Sequence, residues 1–204
     1  MIKIPAHSSN FTVGRTKPID RIVLHYTAGD GDSAVNNGVY FSVENRGVSA
    51  HYFVDKNTVV LSVEEKDTAW HAGDWDMNNR SIGVEMCSEM DDEGNYYIPI
   101  LTVQNAANLV KELMAKYAIG VEGVIRHYDV TGKSCPAPMV EAPELWEDFK
   151  SRLVTGQSPS LWAEEATSWA VEQGIFQGDG QGNFRWKDPV TREELAVILH
   201  RLQA

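Results

Sequence analysis

"IVLHY" at residues 22–26 decides how this chain folds. It is a short run of apolar and aromatic residues, free of Gly and Pro, and broken once by a histidine. Such a run reads as a buried β-strand. On a strand Val23 and His25 share one face, while Ile22, Leu24 and Tyr26 share the other. His25 is thus expected on a stiff mount inside an apolar layer, a position that needs a reason.

Outward from it, "SAHYFVD" (49–55) and "TVVLSV" (58–63) read as two more strands, joined in a hairpin at Lys56-Asn57. "SIGVEMC" (81–87) is a fourth, and "GVIRHY" (123–128) reads as a strand running into a loop. "TVQNAANLVKELMAKYAI" (102–119) is helical in period. Val103, Ala107, Val110, Leu113, Met114 and Tyr117 fall on one face, with Thr102 as the expected N-cap and Gly120 as the expected stop. Strands mixed with helices predict an α/β or α+β sheet domain over residues 1–153. "VTGQSPS" (154–160) is the expected linker. Residues 161–204 have a different texture: a helical pattern over 161–173 ending at Gly174, a Gly-rich turn, then a helix capped by Thr191. Glu194 completes its capping box. About 40 residues are marginal for an independent core.

The 204 residues are 43% hydrophobic and 23% charged, the balance of a globular protein. No run approaches the ~20 apolar residues that span a bilayer, so no membrane insertion is expected. "MIKIPAHSSNFTVG" lacks the apolar core of a secretory signal, which predicts synthesis in the cytoplasm. The 2 cysteines are then expected as free thiols or metal ligands. A formal net charge of -11 argues against nucleic acid, whose phosphates require clustered Lys and Arg.

"GVIRHYDVTGKSCPAP" (123–138) places His127 and Cys135 in one Gly- and Pro-punctuated segment. With His25 as a third corner they make two imidazoles and a thiolate, a catalytic zinc set that leaves one position open to water. Taken singly, His25 also suits a satisfied core histidine, and Cys135 a small buried apolar group. Glu85 lies on an apolar strand, pointing opposite to Val84 and Met86. It reads as a general base, or as a partner of a buried Arg. Lys133, two residues before Cys135, reads either as a solvated loop lysine or as a charge that stabilises an oxyanion. Asp129 could orient a ligating imidazole. Trp70 and His71 read as groove residues, suited to sugar or peptide stems and to a carbonyl or carboxylate. Trp75 could equally be packing, and Cys87 reads as a buried strand residue.

"IVLHYTAG", "SAHYFVD", "TAWHAG", "SIGVEMC" and "HYDVTGKSCP" stand in the order, and near the spacing, of zinc-dependent N-acetylmuramoyl-L-alanine amidases. The chain resembles that family over roughly residues 20–153, and its endolysin branch most. The resemblance implies a mixed central β-sheet flanked by helices, one Zn2+ on His25, His127 and Cys135, and Glu85 as the catalytic carboxylate, with Lys133 beside the metal. It also implies hydrolysis of the amide between the lactyl group of N-acetylmuramic acid and L-alanine, with peptidoglycan as partner. His51 stands where some relatives carry a catalytic tyrosine, and is expected as a groove residue or proton donor. "AVEQGIFQGDGQGNFRWKDPVTREELAVILHRL" (170–202) is similar to one S-layer homology repeat. That resemblance implies binding to a secondary cell-wall polymer or self-association into a homo-oligomer. The expectation is a lytic enzyme that acts at the cell wall after release. Its alternatives are a non-catalytic peptidoglycan-binding module and a zinc peptidase cutting within the stem peptide.

Overall fold

The structure is a computed structural model and describes residues 1–154, 159–177, 184, 186 and 190–202. The chain divides into two units, Met1–Phe149 and Lys150–Ala204. The first is a mixed α/β unit built on ten short strands. These are β1 (Ile2–Lys3), β2 (Phe11–Thr12), β3 (Arg21–Tyr26), β4 (Tyr52–Val54) and β5 (Val59–Leu61). Then follow β6 (Thr68–Ala69), β7 (Ser81–Met86), β8 (Glu89–Met90), β9 (Tyr96–Tyr97) and β10 (Val124–Arg126). The helices of this unit are α1 (Ala34–Val43), α2 (Trp75–Arg80), α3 (Ile100–Tyr117), α4 (His127–Thr131), α5 (Ala137–Glu141) and α6 (Pro143–Leu153), the last reaching past Phe149.

Six strands form the central sheet in the order β1-β5-β4-β7-β3-β10. All neighbours are parallel except the β4–β5 hairpin. Its turn lies at Lys56-Asn57 as expected, where the Asp55 carboxylate accepts the N–H groups of Asn57 and Thr58 at 2.7 Å each. The strands β4 and β7 occupy the middle, with β3 between β7 and the edge strand β10. Ile22, Val23, Leu24 and His25 are all buried, so both faces of β3 are covered, as a parallel sheet requires. Helix α1 packs on β4 and β5, where Ala34, Phe53 and Val60 share a core with the part-buried Ile4 and Phe41. Helix α3 packs on β4 and β7 and buries Val103, Ala106, Ala107, Val110 and Leu113.

Several local expectations shift. Helix α3 starts two residues earlier than its pattern suggested, with Pro99 at the N-cap and Thr102 buried inside the first turn. It ends on Ala118 in the left-handed region (φ 53°) rather than at Gly120, closed by the Ala118 N–H to Met114 O bond. Beyond β10 the chain enters α4, not a loop, because the Asp129 carboxylate caps it by accepting the Arg126 backbone N–H at 2.8 Å. Asp129 also binds the Arg126 guanidinium, which secures the helix end. Helix α1 has no sequence reading at all. Its "NNG" centre lowers helix propensity, yet a Cβ on Gly38 would sit 2.9 Å from Val60 and 3.2 Å from Ile4. Close packing on the sheet has overridden propensity there.

The second unit holds α7 (Glu164–Glu172) and α8 (Arg192–Arg201). Gly174 follows α7 with φ +69°, and Thr191 and Glu194 form the expected capping box. Arg201 donates to Ile175 O at 2.9 Å, tying α8 to the end of the first helical segment. Of the expected linker, residues 155–158 lie outside the described residues, as does much of the Gly-rich turn at 178–183. Among the described residues no helix is long and apolar enough to cross a membrane.

Candidate metal centre and groove

Parallel pairing of β3 with β7 sets His25 opposite Glu85, and pairing of β3 with β10 delivers the chain to His127 at the start of α4. Paired residues on adjacent strands point to the same side, so His25 and Glu85 share a face. Gly132, at φ +78°, ends α4 and turns the chain back toward Cys135. The backbone N–H of Tyr128 donates to Cys135 O at 2.9 Å, which pins that return.

The ligand atoms of His25, His127 and Cys135 all lie within 4.8 Å of one another, and all three residues are buried. His25 Nδ1 is 3.7 Å from Cys135 Sγ. A tetrahedral ion with Zn–N near 2.0–2.1 Å and Zn–S near 2.3 Å holds such a pair roughly 3.5 Å apart, so the spacing fits. Among the described residues three buried side-chain polar atoms lack a hydrogen-bond partner: Ser62 Oγ, Glu85 Oε2 and His127 Nδ1. Two of these are at this site, and a buried polar atom without a partner costs about 1–3 kcal/mol. A cation between His25, His127 and Cys135 would give the His127 Nδ1 lone pair its partner.

Electrostatics favour the uncharged forms of these side chains. Burial, then the neighbouring His71, His127 and Lys133, holds His25 neutral well below the usual imidazole range. Burial, then Lys133, also lowers His127 below the usual imidazole range. Burial pushes the Cys135 thiol up to about 12, with Glu85 adding to the effect and Lys133 opposing it. Burial also raises Glu85 to about 8; Lys133 works against that rise and Asp32 with it. Lys133 is itself exposed, on the loop between α4 and Cys135. Its charge acts on all four of these groups from the open side.

A groove runs past this cluster, lined by Val48, Trp70, Trp75, Asp74, His127 and Lys133 among others. Trp70 is half-buried, its indole N–H donating to Thr12 Oγ1 at 3.1 Å, while Trp75 is 58% exposed at the first turn of α2. His71 borders the groove but is buried, and both its ring nitrogens are engaged within the protein. Nδ1 lies 3.0 Å from His25 Nε2, and Nε2 lies 3.2 Å from Ser81 Oγ. His51 departs further from expectation. It is fully buried, its Nδ1 accepts the Gly83 N–H at 2.9 Å, and its Nε2 meets Arg15 and Asp67 O. It braces the sheet behind the site and is neither a groove residue nor an available proton donor. Cys87 is buried beside Asn37 at the end of β7.

Sequence reasoning passed over Asn78, Ser81, Gly83 and Arg15. Asn78 Oδ1 accepts the N–H groups of both His71 and Ala72, at 3.0 and 2.7 Å. Arg15 donates to the carbonyls of Glu65, Asn78 and Asn79. One signal was present: Asp74 three residues before Met77 marks an N-cap, and its side chain does accept the Met77 N–H.

Comparison with known proteins agrees with this geometry. Residues 15–138 match the N-acetylmuramoyl-L-alanine amidase family, Amidase_2, and residues 155–196 match the S-layer homology domain. The chain is 39% identical over 147 residues to the N-acetylmuramoyl-L-alanine amidase CwlL of Bacillus licheniformis, covering 65% of this chain and 40% of that protein. It is 35% identical over 164 residues to the amidase BlyA of Bacillus subtilis (strain 168), covering 70% of this chain and 44% of BlyA. It thus spans about half the length of the curated relatives it matches. Among solved structures, PlyL aligns with TM-score 0.66 at 28% identity, covering 78% of this chain and 99% of PlyL. The catalytic domain of XlyA aligns with TM-score 0.64 at 29% identity, covering 74% and 97%. The chain belongs to the N-acetylmuramoyl-L-alanine amidase family.

Proposed function

We propose that this chain is a zinc-dependent, endolysin-like amidase that hydrolyses the amide between N-acetylmuramic acid and L-alanine in peptidoglycan. The observation that carries the reading is the buried His25–His127–Cys135 cluster, beside the unpartnered Glu85 carboxyl and at the edge of a Trp-lined groove. One Zn2+ held by His25, His127 and Cys135 would supply a water of lowered pKa and a Lewis acid for the scissile carbonyl. Glu85 faces the same space, and its raised pKa suits a group that takes a proton from the attacking water and hands it to the leaving amine. Lys133 brings a positive charge to the open side, where oxyanion charge develops. Trp70 and Trp75 offer apolar faces on which sugar rings or peptide stems can lie.

The C-terminal S-layer homology repeat serves, in this reading, to hold the enzyme on a secondary cell-wall polymer. The comparisons lend no support to self-association. The test is an end-group assay on purified peptidoglycan, with and without chelator. New alanine amino termini without new reducing sugars, lost on chelation and restored by zinc, are expected. Other termini would move the cut into the stem peptide, and no new ends would leave a binding protein.

A further inference from the structure

The segment His71-Ala72-Gly73 lies beside the candidate metal cluster, and His71 engages the His25 nitrogen on the far side of the ring from the one near Cys135. The segment's own position is fixed from α2, because Asn78 Oδ1 accepts the His71 and Ala72 N–H groups.

For His25 the direction of each proton follows from a single anchor. The Ser81 hydroxyl donates its one hydrogen to Met77 O at 2.5 Å, within the turn that joins α2 to β7. Toward His71 Nε2, at 3.2 Å, Ser81 Oγ is then an acceptor, so the His71 hydrogen sits on Nε2. His71 Nδ1 is left as an acceptor, and His25 Nε2–H donates to it at 3.0 Å. The only lone pair left on the His25 ring is on Nδ1, the atom 3.7 Å from Cys135 Sγ. The His71 ring can lie there because residue 83 has no side chain. A Cβ on Gly83 would come within 2.5 Å of His71 Cγ and 2.7 Å of Cδ2.

We propose that His71 is a positioning residue for the metal: through the Met77 O–Ser81–His71–His25 relay it fixes His25 as the tautomer with a free Nδ1. This rests on the metal-binding reading above and adds to it a role for residues that touch neither metal nor substrate. The relay holds His25 ready for the ion before any ion arrives, so the metal meets a pre-formed lone pair.

The full-length protein tests this with three variants and two readouts. His71→Leu removes the acceptor, His71→Asn restores one near the Nδ1 position, and Ser81→Ala releases the anchor. Zinc affinity, read by competition with a chromophoric chelator, is expected to fall about 10–100-fold in His71→Leu. It should recover most of that loss in His71→Asn and fall less in Ser81→Ala. Long-range ¹⁵N–¹H spectra of the metal-free protein read the His25 tautomer directly. Wild type should show Nε2–H alone, and Ser81→Ala a mixture. If His71→Leu does not fold, the Ser81→Ala spectrum still decides. Wild-type protein that binds no zinc would overturn the metal reading, while its Nε2–H spectrum would leave the relay standing. Wild-type protein that binds zinc, with unchanged affinity in His71→Leu or with Nδ1–H on metal-free His25, would overturn the relay alone.

Discussion

At the scale of single residues, the cluster is set by opposed protonation demands. Cys135 must lose a proton to become a metal ligand, and burial has pushed its thiol up to about 12. Below that value each ion bound through the thiolate releases one proton, so apparent zinc affinity should rise about tenfold per pH unit around neutrality. Calorimetry in buffers of different ionisation enthalpy counts those protons. Cys135→Ser should abolish zinc binding and turnover together. Glu85 poses the converse case. In the metal-free folded chain it keeps its proton up to about 8, whereas the unfolded carboxyl releases it near 4.5. The folded state thus binds more protons across that window, and its stability falls as pH rises through it. The neutral buried histidines act in the opposite sense, their folded pKa values being depressed. The difference between wild type and Glu85→Gln therefore isolates the carboxyl. Urea unfolding of chelated protein at pH 5 to 8 should show the variant gaining relative stability as pH rises. The same variant should keep its zinc and lose about 10²–10⁴-fold in turnover. Normal turnover would exclude Glu85 as the base.

At the scale of elements, β7 carries the most information per residue. It supplies Ser81, Gly83 and Glu85 to one face, each in a different role. Gly83→Ala should force the His71 ring to move, costing about 1–3 kcal/mol as overpacking does. A domain of this size would then melt roughly 2–4 °C lower per kcal/mol, which scanning calorimetry reads. On α8, Thr191→Ala removes one half of the capping box and should cost about 1 kcal/mol, seen as faster amide exchange in the first turn of that helix. These elements also show what a sequence can and cannot disclose. Strands β3, β4, β5, β7 and β10 were legible because each is an apolar run between turn residues. The ladders of two residues, such as β8 with β9, were not, being too short for any period to register. Helix α1 was hidden by its Asn-Asn-Gly centre, which only the nearness of Ile4 and Val60 explains.

At the scale of the whole molecule, the meeting of His25, His127 and Cys135 could be anticipated because chemistry narrows it. Few residues bind zinc, and His25, His127 and Cys135 stood in contexts that demanded a reason. The surroundings of His51 and His71 could not be read so. Each depends on what lies across the sheet or across a turn, Gly83 and Arg15 for one, Ser81 and Asn78 for the other, and no spacing in the chain announces those meetings. The second unit lends itself to a test of its own. Removing residues 154–204 should leave hydrolysis of soluble muramyl peptides intact while weakening action on whole walls. Equal loss on both substrates would assign this unit to folding, and no loss on either would sink the targeting role.

The three strands that carry the site lie side by side in space but are far apart along the chain, and β10 comes last. A ribosome releases residues in order, at about 5–20 per second. For as long as the segment beyond α3 is still inside it, the emerging chain holds His25 and Glu85 but lacks His127, Lys133 and Cys135. The His25–His127–Cys135 cluster is therefore complete only when its unit is almost wholly made. A product cut short anywhere before Cys135 cannot assemble the cluster.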